Sequence, residues 1–137
     1  MSTINIGTSV DPFYRYKRPV SMVENRTGKT IITNLNDISK ALCTKSSYIL
    51  YFIQLEKSTS VTDKGEIKMI LTKSMIEDFI NKYIEKFVLC NICKYPELAI
   101  KQANKQLYFI CNACGNTTEI PKNKFTKIIY KDFEKNV

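Results

Sequence analysis

Two C-x-x-C pairs constrain this chain more than any other feature. Cys90-Asn-Ile-Cys93 and Cys111-Asn-Ala-Cys114 are separated by 17 residues. That lies within the C-x₂-C-x₁₅₋₂₀-C-x₂-C spacing of a zinc site. Each pair presents two thiolates from one tight turn, and Zn²⁺ takes four such ligands in a tetrahedron. Gly115 follows Cys114, where the absence of a Cβ lets the backbone curl beneath the sulfur. Residues 97–101 and 106–110 read as strands between the pairs, and 117–120 as a third. Three short strands closed by two knuckles make a four-cysteine zinc ribbon over residues 88–121, with Cys90, Cys93, Cys111 and Cys114 as ligands. Four cysteines leave no position open for water, so the zinc is expected to be structural. The alternative is a pair of disulfides. The first ten residues have neither a basic start nor an apolar run, so no secretory signal favours oxidation. The expected compartment is cytoplasmic. The longest apolar stretch, residues 48–53, is far short of the ~20 residues that span a bilayer, so no membrane partner is expected.

The ribbon is preceded by a segment with mixed periodicity. Residues 20–24 alternate as a strand, 25–28 read as a turn with Gly28, and 29–34 as the return strand. Asn36 and Asp37 offer N-cap chemistry for a short helix bearing Ile38, Ala41 and Leu42. A second helix is expected over 47–56, with Tyr48, Phe52 and Leu55 on one face. Cys43, between them, reads as a buried small hydrophobe. Residues 59–62 and 66–72 flank Asp63-Lys-Gly65 as a hairpin. Ser74 and Glu77 have the spacing of a capping box. Ile76, Phe79, Ile80, Tyr83, Ile84 and Phe87 then run at helical spacing, a core-facing stripe. The fold class is therefore α+β: a small mixed α/β domain over residues 20–87, followed by the C-terminal four-cysteine zinc ribbon. Residues 1–19 read as an extended N-terminal tail, because Pro12 and Pro19 disfavour helix before them. Residues 122–137 read as a basic C-terminal tail. Its Lys122, Lys124 and Lys127 surround Phe125 and either touch RNA backbone or form a solvated surface.

The formal charge is +8, with 21 cations and no histidine. The charge favours an anionic partner, although a lysine-rich surface also serves solvation alone. The lack of histidine excludes Ser-His-Asp and Cys-His catalysis. Only Arg15, Arg18 and Arg26 are arginines, all near the N-terminus, and arginine offers a planar fork for phosphate or carboxylate. Arg15 sits in Asp11-Pro-Phe-Tyr-Arg-Tyr-Lys17, a segment too aromatic for a solubilising tail. It either docks on a partner or folds back on its own domain.

An α+β domain running through an amphipathic helix into a four-cysteine ribbon, joined here as FINKYIEKFVLCNICKYPE, resembles a specific family. It is similar to the N-terminal half of eukaryotic translation initiation factor five and to the homologous core of the beta subunit of initiation factor two. QLYFICNAC is closer to the beta subunit, whereas DPFYRYK resembles factor five alone. The resemblance covers residues 11 to about 120. It implies a GTPase-activating protein with no active site of its own, acting in start-codon selection on the small ribosomal subunit. Arg15 would be supplied in trans to GTP-bound initiation factor two, at its gamma subunit. Phe13, Tyr14, Tyr16 and Lys17 would anchor the segment, offsetting the entropy of ordering. Arg26 and Lys29, in the first hairpin loop, would contact initiator tRNA and the small subunit. The chain departs from the family in two ways. Tyr51, in SYILY, stands where the family carries a lysine, and the family's helical-repeat domain is missing by Val137. These departures favour the alternative, a non-catalytic or inhibitory binder resembling the beta subunit core. They also raise the idea of a reduced homologue from a compact genome or a virus, acting as a monomer in the host cytoplasm.

Overall fold

The computed structural model describes residues 3–7 and 9–135. The ends of both expected tails, residues 1, 2, 136 and 137, lie outside them, as does residue 8. No described helix is long and apolar enough to cross a membrane.

The expected N-terminal tail is a hairpin over its described residues. β1 (Thr3–Asn5) pairs antiparallel with β2 (Lys17–Pro19). Two side chains fix it to the domain. Ile6 is buried in the core, and Arg18 is fully buried against the third helix. A buried guanidinium must have partners, and those partners draw the segment back onto the domain.

β3 (Val23–Arg26) and β4 (Lys29–Ile32) form the next hairpin, with Arg26 opposite Lys29. Its two-residue loop has positive φ at both Thr27 and Gly28, the twist that joins right-handed strands. α1 (Leu35–Ala41) begins after Asn34 rather than at Asn36. Asn34 is occupied elsewhere, accepting from the Met22 amide and donating to the Val20 carbonyl, so the cap makes no side-chain bond. α1 ends at a turn in which Cys43, expected to be buried, is exposed with φ +55°. α2 (Ser46–Lys57) follows.

The expected hairpin over 59–72 is reduced to isolated bridges, in which Ile67 pairs with both Val61 and Thr30. The buried Thr30 hydroxyl explains the interruption. It donates to the Met69 carbonyl at 2.7 Å and accepts from the Leu71 amide at 2.8 Å, removing both groups from a regular ladder. Gly65 holds the turn with φ +83°.

α3 (Lys73–Phe87) is capped by Thr72, whose hydroxyl accepts from the Met75 amide. The expected Ser74–Glu77 capping box therefore does not form: both residues lie inside the helix. The apolar stripe is buried as its spacing predicts, with Ile76, Phe79, Ile80, Tyr83 and Ile84 inaccessible.

The ribbon consists of β5 (Leu98–Ala103), β6 (Gln106–Cys111) and β7 (Thr117–Glu119), antiparallel in that order. Beyond it, the expected basic tail is a helix, α4 (Thr126–Lys135). Phe125 and Ile129 are buried, and Ile128, Tyr130 and Phe133 pack against the core. Asn123 caps this helix, accepting from the Phe125 and Thr126 amides. Aromatic rings form the joint between the ribbon and the α+β part. Phe125 lies 4.7 Å from Phe87 and 5.7 Å from Phe52, and Phe87 lies 6.2 Å from Phe109 of β6. α4 is tied at both ends of this joint. The Tyr130 hydroxyl donates to the Ile120 carbonyl and accepts from Gln106, while Asp132 accepts from Tyr48 and pairs with Lys45.

Candidate metal knuckles and arginine loop

The four ribbon cysteines converge. Their sulfurs all lie within 4.8 Å of one another, with Cys90–Cys114 at 3.6 Å and Cys93–Cys111 at 3.5 Å. These separations are too long for a disulfide. They approach the roughly 3.8 Å between ligands of a tetrahedral site with ~2.3 Å metal–sulfur bonds. Each knuckle supports the geometry through its backbone. The Lys94 amide donates to the Cys90 carbonyl, the Gly115 amide to the Cys111 carbonyl, and the Ile92 amide to the Cys90 sulfur. Lys94 and Gly115 both take positive φ to close their turns.

The electrostatics of the cluster fit a cation. The Cys93 amide, opposed by burial and helped by the Ile92 amide, pulls the Cys90 thiol down to about 6. The Tyr95 amide acts likewise on Cys93, but burial and the other sulfurs prevail and push that thiol up to about 12. The neighbouring sulfurs help Cys90 to ionise but oppose the ionisation of Cys93, and a divalent ion among them removes that opposition. The donor set therefore fits a metal ion.

The arginine segment forms the loop between β1 and β2. Asp11 nucleates it: its side chain accepts from the Phe13 amide and its carbonyl from the Tyr14 amide. The Lys17 ammonium donates to the Pro12 carbonyl at 2.7 Å. Arg15 is exposed, with its guanidinium carbon 5.4 Å from the centre of the Tyr16 ring. Among the described residues no carboxylate pairs with it. Phe13 is 91% exposed, whereas Tyr14 and Tyr16 are half-buried. Arg26 and Lys29 stand at the tip of the other hairpin, where Arg26 pairs with Glu24 and Lys29 with Glu66. Such exposed pairs contribute about 0–1 kcal/mol, so both cations can exchange partners.

Arg18 has a different role from its neighbours. It makes a two-pronged pair with Glu77 at 3.1 and 3.3 Å and further bonds to Asn81 and the Pro19 carbonyl. Nothing in the local sequence distinguishes it from Arg15. Tyr51, expected to stand where the resemblance implies a lysine, stacks on Phe125 at 5.9 Å. The supporting residues Tyr95 and Glu97, beside Tyr16, were not legible as such, because their only signal is proximity in space. The α4 contacts did have a signal, since Phe125, Ile129 and Phe133 recur every four residues.

Residues 7–117 match the eIF-5/eIF-2B family, described as a domain found in initiation factors 2B and 5. The chain is 36% identical to eukaryotic translation initiation factor 5 of Dictyostelium discoideum, over all of this chain and 37% of that protein. It is also 36% identical to eukaryotic translation initiation factor 5 of Saccharomyces cerevisiae, over 89% of this chain and 33% of that protein. It is 23% identical to eukaryotic translation initiation factor 2 subunit beta of Triticum aestivum, over 75% of this chain and 40% of that protein. The chain thus spans little more than a third of the length of these relatives. With the match covering both the α+β segment and the cysteine knuckles, the chain belongs to the eIF-5/eIF-2B domain family.

Proposed function

We propose that this protein acts as a factor five-like translation initiation factor in start-codon selection on the small ribosomal subunit. It stimulates GTP hydrolysis by initiation factor two, contributing Arg15 in trans to the nucleotide site of the gamma subunit. The observation that carries this reading is the setting of Arg15: an exposed guanidinium, with no carboxylate partner among the described residues, at the edge of an aromatic loop. Phosphoryl transfer spreads negative charge over the equatorial oxygens, and an arginine brought by a second protein is worth ~10³–10⁵ in rate. A guanidinium without a carboxylate partner enters such a site without first breaking an ion pair. Phe13, Tyr14, Tyr16 and Lys17 shape the loop and offer apolar surface and charge to the partner.

Cys90, Cys93, Cys111 and Cys114 would hold Zn²⁺, which would supply structure and no chemistry, because four cysteine ligands leave no position for water or substrate. Arg26 and Lys29 would meet initiator tRNA or ribosomal RNA by exchanging their carboxylate partners for phosphate.

The test is single-turnover phosphate release from GTP-bound initiation factor two with initiator tRNA on small subunits. The protein is expected to accelerate release, and Arg15→Met to lose on the order of 10³-fold of that stimulation. No acceleration by the wild type would overturn the reading, and full activity in Arg15→Met would overturn the role of Arg15.

A second reading is favoured by one observation. Tyr51 occupies the lysine position of α2, half-buried on Phe125 with its hydroxyl 3.4 Å from the Lys124 carbonyl. No cation is offered there. A non-catalytic or inhibitory binder of the gamma subunit or small subunit would bind without faster phosphate release, and the same assay separates the two.

A further inference from the structure

The loop that carries Arg15 is poorly anchored by its own burial. Among the described residues from Gly7 to Lys17 none is buried. Hydrogen bonds shape it from within, and the Asn5 side chain donates to the Ser9 and Asp11 carbonyls; at its surface it also meets Tyr95. That residue follows Cys93 by two positions, and its backbone is part of the first knuckle. Its carbonyl accepts from the Cys90 amide at 3.0 Å and from the Glu97 amide at 2.9 Å. With its carbonyl held by two amides, Tyr95 offers its ring as a platform that is still 45% exposed.

The loop rests on that platform. Tyr16 meets Tyr95 with ring centres 6.0 Å apart, and Tyr14 meets Tyr16 edge-on at 5.5 Å. The Arg15 guanidinium lies over the same Tyr16 ring. A continuous line of contacts therefore runs from the cysteine cluster through Tyr95 and Tyr16 to Arg15. On the β1 side the Tyr16 carbonyl accepts from the Ile6 amide at 2.9 Å, which fixes the backbone of Tyr16, while its ring rests partly on the core and partly on Tyr95.

We propose that Tyr95 is a positioning residue for Arg15: it clamps the Tyr16 ring and so couples the metal knuckle to the conformation of the arginine loop. This rests on the reading of Arg15 as an arginine supplied in trans. A loop ordered before docking loses less entropy at the partner's nucleotide site. The metal then has a consequence beyond stability, because a knuckle without its ion cannot hold the platform.

The test uses the full chain, zinc-loaded, as wild type, Y95A, Y95F, R15M and R15M/Y95A. The first readout needs no partner: zinc content, with nitrogen relaxation and amide exchange at residues 13–16. Y95A is expected to keep its zinc while Tyr14, Arg15 and Tyr16 become mobile, and Y95F to match wild type. Unchanged loop order in Y95A overturns the proposal. Loss of zinc by Y95A also overturns it, since Tyr95 would then serve the knuckle and not the loop.

The second readout is phosphate release. Y95A is expected to lower the maximal rate about fivefold to tenfold, the size of one aromatic contact, with the half-saturating concentration unchanged. In the R15M background it should cause no further loss, and an equal loss in both backgrounds overturns the proposal. If the wild type gives no stimulation, the functional reading falls, and the relaxation data alone decide whether Tyr95 holds the loop.

Discussion

Replacing Arg18 by methionine should cost this protein about 3 kcal/mol, within the range for breaking a buried ion pair, and the structure sets that figure. Methionine keeps much of the stem volume and removes the guanidinium. The Arg18 side chain is inaccessible and that of Glu77 is 18% exposed. Removing one partner of a buried pair costs about 3–5 kcal/mol, because the other charge is left uncompensated. Two features place Arg18→Met at the lower end. The Glu77 carboxylate retains the Ser21 amide at 3.2 Å and a partial opening to water. The Arg18 Nε makes no hydrogen bond among the described residues, so the wild type already carries one unsatisfied donor. Urea denaturation in zinc-saturated buffer measures the loss, about 150-fold in the folding equilibrium. Amide exchange at Lys17 and Ile6 should rise as well, because Arg18 holds β2 and with it the hairpin. The decisive comparison is Arg18→Met/Glu77→Leu. Apolar replacement of both partners is often nearly neutral, so the double variant should recover most of the loss. A single-variant cost below about 1 kcal/mol, the ceiling for an exposed pair, or a double variant as costly as the sum of its parts, would refute the reasoning.

Acid should reveal the same pair. Burial pushes the Glu77 carboxyl up, but the Arg18 and Ser21 hydrogen bonds and the Arg18 charge prevail and hold it below the usual carboxylate range. The unfolded chain therefore takes up the proton first, so the contribution is complete above the unfolded pKa of about 4.3 and lost as pH falls through the folded value; denaturation midpoints across about pH 3–6, the range bracketing that pKa, should show this slope in wild type and not in Arg18→Met. Removing the metal with a chelator, or Cys111→Ser, should unfold the ribbon strands, read as loss of amide protection in β5 and β6 while α1 and α2 keep theirs. Phe125→Ala should cost about 3–5 kcal/mol, because that ring touches Phe52, Tyr83 and Phe87, and α4 amides should exchange faster; native protection of α4 in the variant would contradict its docking through Phe125. Tyr130→Phe removes the hydroxyl that bridges Gln106 and the Ile120 carbonyl, and because these two groups keep their own 3.2 Å bond the loss should be about 0.5–1.5 kcal/mol by thermal or urea denaturation.

Much of the architecture is legible in the sequence, where the determinants are local. The cysteine spacing specified the ribbon, because two tight turns at that separation bring four sulfurs together with little help from elsewhere. The α3 stripe specified its buried face, because 3.6-residue periodicity is a property of the helix itself. Gly28 and Gly65 marked turns that need positive φ. The hairpin over 59–72 failed as an expectation because its amide and carbonyl partners were taken by Thr30, some forty residues earlier.

The roles of individual polar residues were decided only in three dimensions. Glu77 has the spacing of a capping residue, yet it binds Arg18 across 59 residues of chain. Arg15 and Arg18 are three residues apart and chemically identical; one is buried and paired, the other exposed over a tyrosine. Side-chain direction alternates along β2 and its approach, but which side meets α3 depends on where the hairpin docks. The sequence alone therefore determined the family, the cysteine cluster and the helical faces, all encoded by short-range spacing. Only the tertiary structure determined which arginine supports the fold, that the terminal segments pack back on it, and that Tyr95 lies beneath the arginine loop. Those outcomes depend on contacts between residues far apart in the chain, whose entropic cost is met only when the whole core assembles.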